Sequence, residues 1–182
     1  MKRTRSRVAS IFLADVQRLL AKQDLPSIEK CLQQLSEEDI WWRPNPASNS
    51  AGNLVLHLCG NVRQWIISGL GGDEFARERD LEFSERGPIA RQALVRQLRR
   101  TVREACQVLA RLPEDDLLKK YKIQGYHPTG LEAALHVAEH FSYHTGQIIY
   151  IAKLKHARDL KLTRLPAAKV APGKPRGQKP SK

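Results

Sequence analysis

Residues 129–155 read TGLEAALHVAEHFSYHTGQIIYIAKLK and place a histidine at every fourth position, at His136, His140 and His144. The opening pattern, Thr followed three residues later by Glu, is that of a capping box at a helix N-terminus. We therefore expect one helix over this segment. Four residues turn a helix by about 400° and advance it by about 6 Å. Successive histidines then lie about 40° apart around the axis, so two neighbours can chelate one ion.

A second predicted helix, over residues 50–70, supplies a matching histidine. Within residues 48–72 the only formal charge belongs to Arg63, which implies burial on most sides. Polar side chains buried in this way need hydrogen-bond partners or a ligand. They form a single uncharged row, Asn53, His57, Asn61 and Gln64.

The rest of the chain also shows helical periodicity. We expect a first helix over residues 8–35, kinked or divided at Pro26, and a third over residues 88–112, which opens on a proline. The connector 71–87 is long and rich in charge, as in a crossover between helices two and three of a four-helix bundle. Only residues 120–126 suggest a short extended piece. The sequence thus predicts an all-α fold.

The net charge of +12 on 182 residues is concentrated at the two ends of the chain. Four basic side chains lie in residues 1–7, and ten basic side chains against one acid lie in residues 153–182, so the part between them carries about −1. Nucleic-acid-binding domains usually carry a basic face on the fold itself. We predict a basic extension at 1–7, one domain at 8–155 and a basic, disordered tail at 156–182.

Cysteine usage and hydropathy indicate a cytoplasmic protein. Cys31, Cys59 and Cys106 are odd in number and far apart, without a Cys-x-x-Cys pair, which is typical of buried thiols in a reducing compartment. The apolar stretch after the basic N-terminus is interrupted by Asp15 and Arg18, so we expect no signal peptide. No apolar run approaches the roughly 20 residues of a membrane helix, and we expect no membrane association.

The histidines predict a divalent-metal site, with one choice open. Three imidazoles suit zinc, nickel, copper or iron and leave positions for water or substrate. Spacing alone does not decide between the pair His136 and His140 and the pair His140 and His144. Gln147, one turn beyond His144, could orient a bound water or ligand. The competing interpretation is a hydrogen-bonded polar stripe without a metal.

Three motifs resemble the DinB-like superfamily. Residues 136–148, His-Val-Ala-Glu-His-Phe-Ser-Tyr-His-Thr-Gly-Gln-Ile, resemble its last helix, in which a histidine and three residues precede His-Arg-Gly-Gln or His-Thr-Gly-Gln. Residues 54–61, Leu-Val-Leu-His-Leu-Cys-Gly-Asn, resemble its second-helix motif, and residues 39–44, Asp-Ile-Trp-Trp-Arg-Pro, its lead-in. The resemblance covers residues 8–155 in the correct order and implies a DinB-like four-helix bundle, often dimeric.

The resemblance also implies the ligand set. The second-helix histidine and the last two histidines of the fourth helix become His57, His140 and His144, and His136 becomes an additional residue for packing or the outer shell. We expect zinc or nickel first, with iron, manganese or copper as alternatives. Position 145 departs from the pattern of the superfamily, because Thr145 stands where many relatives carry arginine.

Three functions are considered for such a site, of which the resemblance suggests the first. The first is a metal-dependent thiol S-transferase or related enzyme that uses a low-molecular-weight thiol, with Glu139 or Tyr143 as candidates to shuttle a proton and no catalytic residue assigned. Metal-activated hydrolysis would use the same ligands. The alternative is a non-catalytic metal-binding stress or scaffold homodimer whose basic tails contact nucleic acid. It predicts a DNA mobility shift that vanishes when residues 156–182 are deleted.

We expect removal of residues 167–182 to leave the melting temperature nearly unchanged. This segment is rich in proline, glycine and lysine and holds few apolar side chains, so it contributes little buried area. Differential scanning calorimetry of the full and shortened chains checks this. A loss of several degrees would show that the segment is docked on the domain.

Overall fold

The computed structural model describes residues 6–156, 159–160 and 162 of the chain. These residues are almost entirely helical and contain two isolated β-bridges but no strand, which confirms the predicted all-α class. Two π-helical segments continue α1 and α4, at Leu19–Asp24 and at Arg63–Ser68. The α-helices are α1 (Arg7–Arg18), α2 (Leu25–Gln34), α3 (Glu37–Trp41), α4 (Ala51–Val62), α5 (Arg79–Ser84), α6 (Arg91–Arg111), α7 (Glu114–Leu118) and α8 (Gly130–His156).

The first long helical segment is divided next to its proline. The π-helical turn Leu19–Asp24 joins α1 to α2, and Pro26 lies in the first turn of α2. Proline has no N–H to donate to the preceding turn and its ring crowds the carbonyl there. A widened turn just before it accommodates both effects. The structure therefore agrees with a division at this point, although the chain stays helical through it.

Helices α4 and α6 run parallel, as the long connector predicts. Gly52 at the start of α4 and Gly87 just before α6 both lie against the ring of Trp41. At the opposite end, Gly71 lies beside Val108 in the last turns of α6. The connection therefore leaves one end of α4 and returns to the other, with α5 packed along it. This is a crossover.

Helix α8 runs antiparallel to α4 and places the two histidine segments side by side. Near its C-terminus, Lys155 pairs with Asp39 of α3 at 2.7 Å and lies over the ring of Trp42. Just before its N-terminus, Gln124 accepts a hydrogen bond from the indole of Trp65, at the far end of the second long segment. The middle of α8 therefore faces the middle of α4.

The N-terminus of α8 is capped as the sequence predicts. The Thr129 hydroxyl accepts a hydrogen bond from the backbone N–H of Glu132 at 3.2 Å, and the Glu132 carboxylate accepts one from the backbone N–H of Thr129 at 2.7 Å. Both halves of the capping box are present. The long helix is thus fixed in register at its start.

One predicted helix boundary is displaced, and one short extended piece is confirmed. The third long helix begins at Arg91 and not at residue 88, and Ala90, with ψ of 139°, is its N-cap. Residues 120–126 contain the extended piece, because antiparallel bridges join Lys120 to Thr129 and Ile123 to Tyr126 in a small hairpin. Gln124 and Gly125 both have positive φ, at 53° and 84°, and fold Ile123 back onto Tyr126.

The four long segments share one hydrophobic core. Its largest fully buried side chain is Phe141, and leucines and isoleucines from the other three segments belong to the same buried cluster. Among the described residues, no helix is both long and apolar enough to cross a membrane. Residues 1–5 and nearly all of the predicted tail 156–182 lie outside the described part. Within that part, Arg7 already belongs to α1, and His156 ends α8.

Candidate metal centre

The structure brings His57 of α4 together with His140 and His144 of α8. One ring nitrogen from each of the three lies within 4.8 Å of the others, and the Nε2 atoms of His57 and His140 are 2.8 Å apart. His57 and His144 are buried, whereas His140 is partly exposed. Among the described residues, this is the one group of three or more histidine, cysteine or acidic side chains with such spacing.

The fourth histidine lies one turn away from this group. The ring of His136 stacks on Trp65 with centroids 4.0 Å apart, and its Nε2 is 3.4 Å from the side-chain nitrogen of Asn61. Its ring centroid is 5.4 Å from that of His140. The histidine pair grouped with His57 is therefore His140 and His144, and His136 occupies the packing position that the resemblance implies.

Asn53 and Gln64 of the polar row on the second long segment find partners on the crossover, as buried polar groups usually do. The Asn53 side chain donates to two backbone carbonyls of the crossover, those of Glu82 and Glu85, both at 2.9 Å. Gln64 accepts a hydrogen bond from Arg77 at 2.9 Å. The Oδ1 atom of Asn61 is buried without a hydrogen-bond partner in the described structure. The row thus ties the crossover to α4.

The Nδ1 atom of His57 contacts a buried ion pair that the sequence did not reveal. It is 2.9 Å from Oε2 of Glu82 and 3.1 Å from the guanidinium of Arg77. Arg77 donates two hydrogen bonds to the carboxylate of Glu82, each at 2.7 Å. Burial alone would raise the pKa of Glu82, but the hydrogen bonds from Arg77 and His57 outweigh it and hold that pKa below its usual range. Glu82 is therefore a carboxylate.

His144 is oriented from the other side by its own helix. Its Nδ1–H donates to Oε1 of Gln147 at 2.7 Å, so Nε2 is the atom left for the site. Gln147, which we expected to orient a bound water or ligand, thus contacts the ring of His144. Thr145 is buried and donates its hydroxyl to the backbone carbonyl of Phe141 at 2.8 Å. Thr145, which stands where we expected many relatives to carry arginine, therefore belongs to the core.

The environment keeps the α8 histidines neutral. Burial, reinforced by the neighbouring His144, His57, His136 and Arg77, lowers the pKa of His140 to about 3. Burial also lowers the pKa values of His136 and His144. A metal ligand must be the unprotonated imidazole, so these pKa shifts favour coordination near neutral pH.

A cavity of about 700 Å³ opens beside the histidines. His57 and His140 line this cavity, and so do the rings of Trp65 and Tyr126, whose centroids are 6.3 Å apart. Its remaining polar lining includes Asn61, Gln124, His127 and Arg79. A small molecule in this cavity would reach the histidine nitrogens directly.

The donor set fits one divalent transition metal. His57 and His144 each have Nδ1 engaged by an acceptor, which directs Nε2 of both rings inward. Metal-bound histidines in proteins usually show such an outer hydrogen bond. Three nitrogen donors leave a coordination position for an exogenous ligand, and the cavity adjoins two of the three rings.

The two candidates for a proton shuttle occupy different positions. Glu139 is exposed. Its negative charge favours the protonated form of His136, but burial has the larger effect and lowers the pKa of that ring. The ring of Tyr143 lies 5.1 Å from that of His144, on the side away from the large cavity, where it lines a second one. Tyr143 is thus adjacent to a proposed ligand, whereas Glu139 faces solvent.

We expect the metal-free protein to lose stability as the pH falls below about 6.5. In the unfolded chain a histidine titrates near 6.5, whereas the folded pKa of His140 is about 3. The unfolded state therefore binds more protons between these values, and each such group costs at most about 1.4 kcal/mol per pH unit. Because His140 is partly exposed, solvent screening makes the actual cost smaller than this upper limit.

Urea unfolding at pH 6.5 and 4.5 measures the effect. The variant His140→Gln serves as the comparison, since carboxylates elsewhere in the fold also titrate in this range. Its free energy of unfolding should depend less steeply on pH than that of the wild type. If the free energy of unfolding depended equally on pH in both proteins, the lowered pKa of His140 would not be the cause of the pH dependence.

Comparisons with known proteins agree with the fold. A family model described as "Protein of unknown function (DUF1572)" matches residues 7–169. A solved structure of a DinB-like protein from Bacillus cereus ATCC 10987 superposes with a TM-score of 0.60 at 16% sequence identity, covering 74% of this chain and 87% of that one. No curated protein matches the sequence significantly.

Proposed function

The chain belongs to the DUF1572 family and has a DinB-like fold, and we propose that it binds one divalent metal ion through His57, His140 and His144. The observation that carries the proposal is the convergence of three imidazoles from two helices, two of which line a cavity of about 700 Å³. Zinc or nickel suits three nitrogen donors best, and iron, manganese or copper would be alternatives.

We further propose that the site supports thiol-dependent transfer chemistry. When bound, a divalent cation lowers the pKa of a coordinated thiol or water, so that a nucleophile exists near neutral pH. The three histidines would hold the ion, and the rings of Trp65 and Tyr126 line the adjoining cavity, where an acceptor substrate would lie.

The chain's own cysteines are poor candidates for the nucleophile. Burial raises the pKa of Cys59 to about 12 and that of Cys31 to about 11, and it also raises the pKa of Cys106. A thiolate is the reactive form, so these three side chains stay protonated. The thiol must then come from a low-molecular-weight co-substrate. Three unpaired thiols also favour the reducing cytoplasm as the working compartment.

Elemental analysis of protein purified without an affinity tag tests the metal proposal. We expect about one divalent ion per chain, and metal far below stoichiometry after incubation with each candidate ion would refute it. A screen of low-molecular-weight thiols with electrophilic acceptors then tests the transfer reaction. Turnover without any thiol would favour metal-activated hydrolysis, because that reaction uses the same ligands with water as the nucleophile.

We also propose that the chain forms a homodimer through one face of α8. Several large apolar side chains on this helix are exposed, and Gly146 lies among them in open space, since a Cβ at this position would meet no other atom within 4 Å. Contiguous apolar surface of this kind is typical of an interface. The exposed side chains are Leu135, Tyr143, Tyr150 and Leu154.

We expect light scattering at micromolar concentration to give the mass of a dimer, and Gly146→Arg to give that of a monomer. The substitution places a long charged side chain in the centre of the proposed interface without a clash inside the fold. Leu118→Arg on α7 is the matched control, since Leu118 is 76% exposed on a different surface. A monomeric wild type would refute the proposal.

A further inference from the structure

The crossover brings two charged side chains, those of Glu82 and Arg77, into contact with His57 of the proposed metal centre. Helix α5 has no buried residue, yet the side chain of Glu82 is only 11% exposed and that of its partner Arg77 only 3%. Burial of two charges is costly unless each is paired and hydrogen-bonded. Their geometry meets that condition, because Arg77 holds both carboxylate oxygens of Glu82 and also donates to Gln64.

A glycine in α4 makes this contact possible. Gly60 lies one turn beyond His57, and a Cβ at this position would overlap the carboxylate of Glu82. Glycine inside a helix costs about 1 kcal/mol relative to alanine. Its backbone is not in the left-handed region, so conformation does not require it. Close approach of Glu82 to the helix does require it.

We propose that Glu82 is a positioning residue for the metal ligand His57. In the tautomer that this role requires, the Nδ1–H of the imidazole donates to Oε2 of Glu82, and the Nε2 lone pair faces His140 and His144. The guanidinium of Arg77, 3.1 Å from the same Nδ1 atom, then donates to the carboxylate and not to the ring. The negative charge also strengthens Nε2 as a donor. Arg77 orients the carboxylate by holding both of its oxygens. This inference rests on the proposed metal binding at the three histidines.

A purely structural role for the ion pair makes a different prediction. If Glu82 and Arg77 only fastened the crossover to α4, their loss would lower the stability of the metal-free fold and leave the affinity of the intact site unchanged. The crossover has other attachments, because Asn53 and Arg43 hydrogen-bond to its backbone carbonyls. The fold is therefore expected to survive a change at Glu82.

Two substitutions test the role of the carboxylate. Glu82→Gln removes its charge with little change of shape. Gly60→Ala leaves every polar group in place but displaces the end of the flexible Glu82 side chain, and it gains helix propensity. The controls are Glu104→Gln, which removes an α6 carboxylate that pairs with Arg63 and Arg100, and Ser10→Ala, which raises helix propensity at an exposed position of α1.

The measurement is the dissociation constant of Zn²⁺ and Co²⁺, obtained by competition with a chelator, together with the visible spectrum of the Co²⁺ protein. Circular dichroism and the melting temperature of the metal-free variants report on folding. We expect Glu82→Gln and Gly60→Ala to weaken binding by about 10- to 100-fold and to alter the Co²⁺ bands. Both controls should retain the wild-type affinity and spectrum.

The outcomes separate this inference from the proposed function. If the wild type binds neither ion, the metal proposal fails and this inference fails with it. If the wild type binds stoichiometrically and both variants keep its affinity and its Co²⁺ spectrum, the positioning role of Glu82 is refuted and the metal proposal stands. Weaker binding in a folded Gly60→Ala protein supports the role, because that variant retains both Glu82 and Arg77.

Discussion

Replacing His57, His140 or His144 with alanine is expected to abolish stoichiometric metal in the purified protein. Each change removes one of three imidazole donors that lie within 4.8 Å of one another. The two remaining donors cannot enclose the ion, since protein sites for zinc need three or four ligands. Elemental analysis of each variant, with circular dichroism to confirm its helix content, measures the loss.

His136→Ala is the matched control on the same helix. Its ring packs on Trp65 and approaches Asn61, outside the group of three. We expect this variant to retain metal, with an affinity lowered by no more than about 10- to 100-fold. Metal retained in His144→Ala and lost in His136→Ala would move the ligand pair one turn towards the N-terminus of α8. A wild type without metal, and four variants that differ only in stability, would support a hydrogen-bonded histidine stripe.

The long helices and their histidines were predictable because they depend on local patterns. The capping box at Thr129, the four-residue histidine spacing and the low charge around His57 are each read within a single helical segment. The choice between two neighbouring histidine pairs on α8 was not predictable from spacing, because both pairs subtend the same angle. The resemblance implies His140 and His144 as ligands, and in the structure these two are the α8 histidines that lie together with His57.

The partners of His57 were not predictable in the same way. Glu82 is 25 residues away from it and lies among other charges in the connector, where the sequence indicates only a solvated surface. The one local signal was Gly60, an isolated glycine within a helical pattern, which suggests close approach of another group. That signal does not say which group approaches. The crossover path decides this, and it is fixed by tertiary contacts.

Among the side chains that hold the crossover through hydrogen bonds, we expect Asn53 to contribute most to the free energy of unfolding. Its side chain is fully buried and donates to the carbonyls of Glu82 and Glu85. It also accepts hydrogen bonds from Arg43 at 2.7 Å and from the hydroxyl of Ser50 at 2.6 Å, as part of the cap of α4. One amide therefore satisfies the groups that meet at this end of the connection.

We expect Asn53→Ala to lower the free energy of unfolding by about 3 kcal/mol or more, because several buried polar groups lose their partner and each costs about 1–3 kcal/mol. For a chain of this size, that corresponds to a fall of roughly 6–12 °C in the melting temperature. Asn45→Ala is the control, since Asn45 accepts comparable hydrogen bonds from Ala47 and Ser48 in an exposed turn, where water can replace them. Thermal and urea unfolding of the metal-free proteins measure both changes. If Asn53→Ala were no more destabilising than Asn45→Ala, the crossover would not be held to α4 by this side chain, and other contacts would have to place Glu82 beside His57.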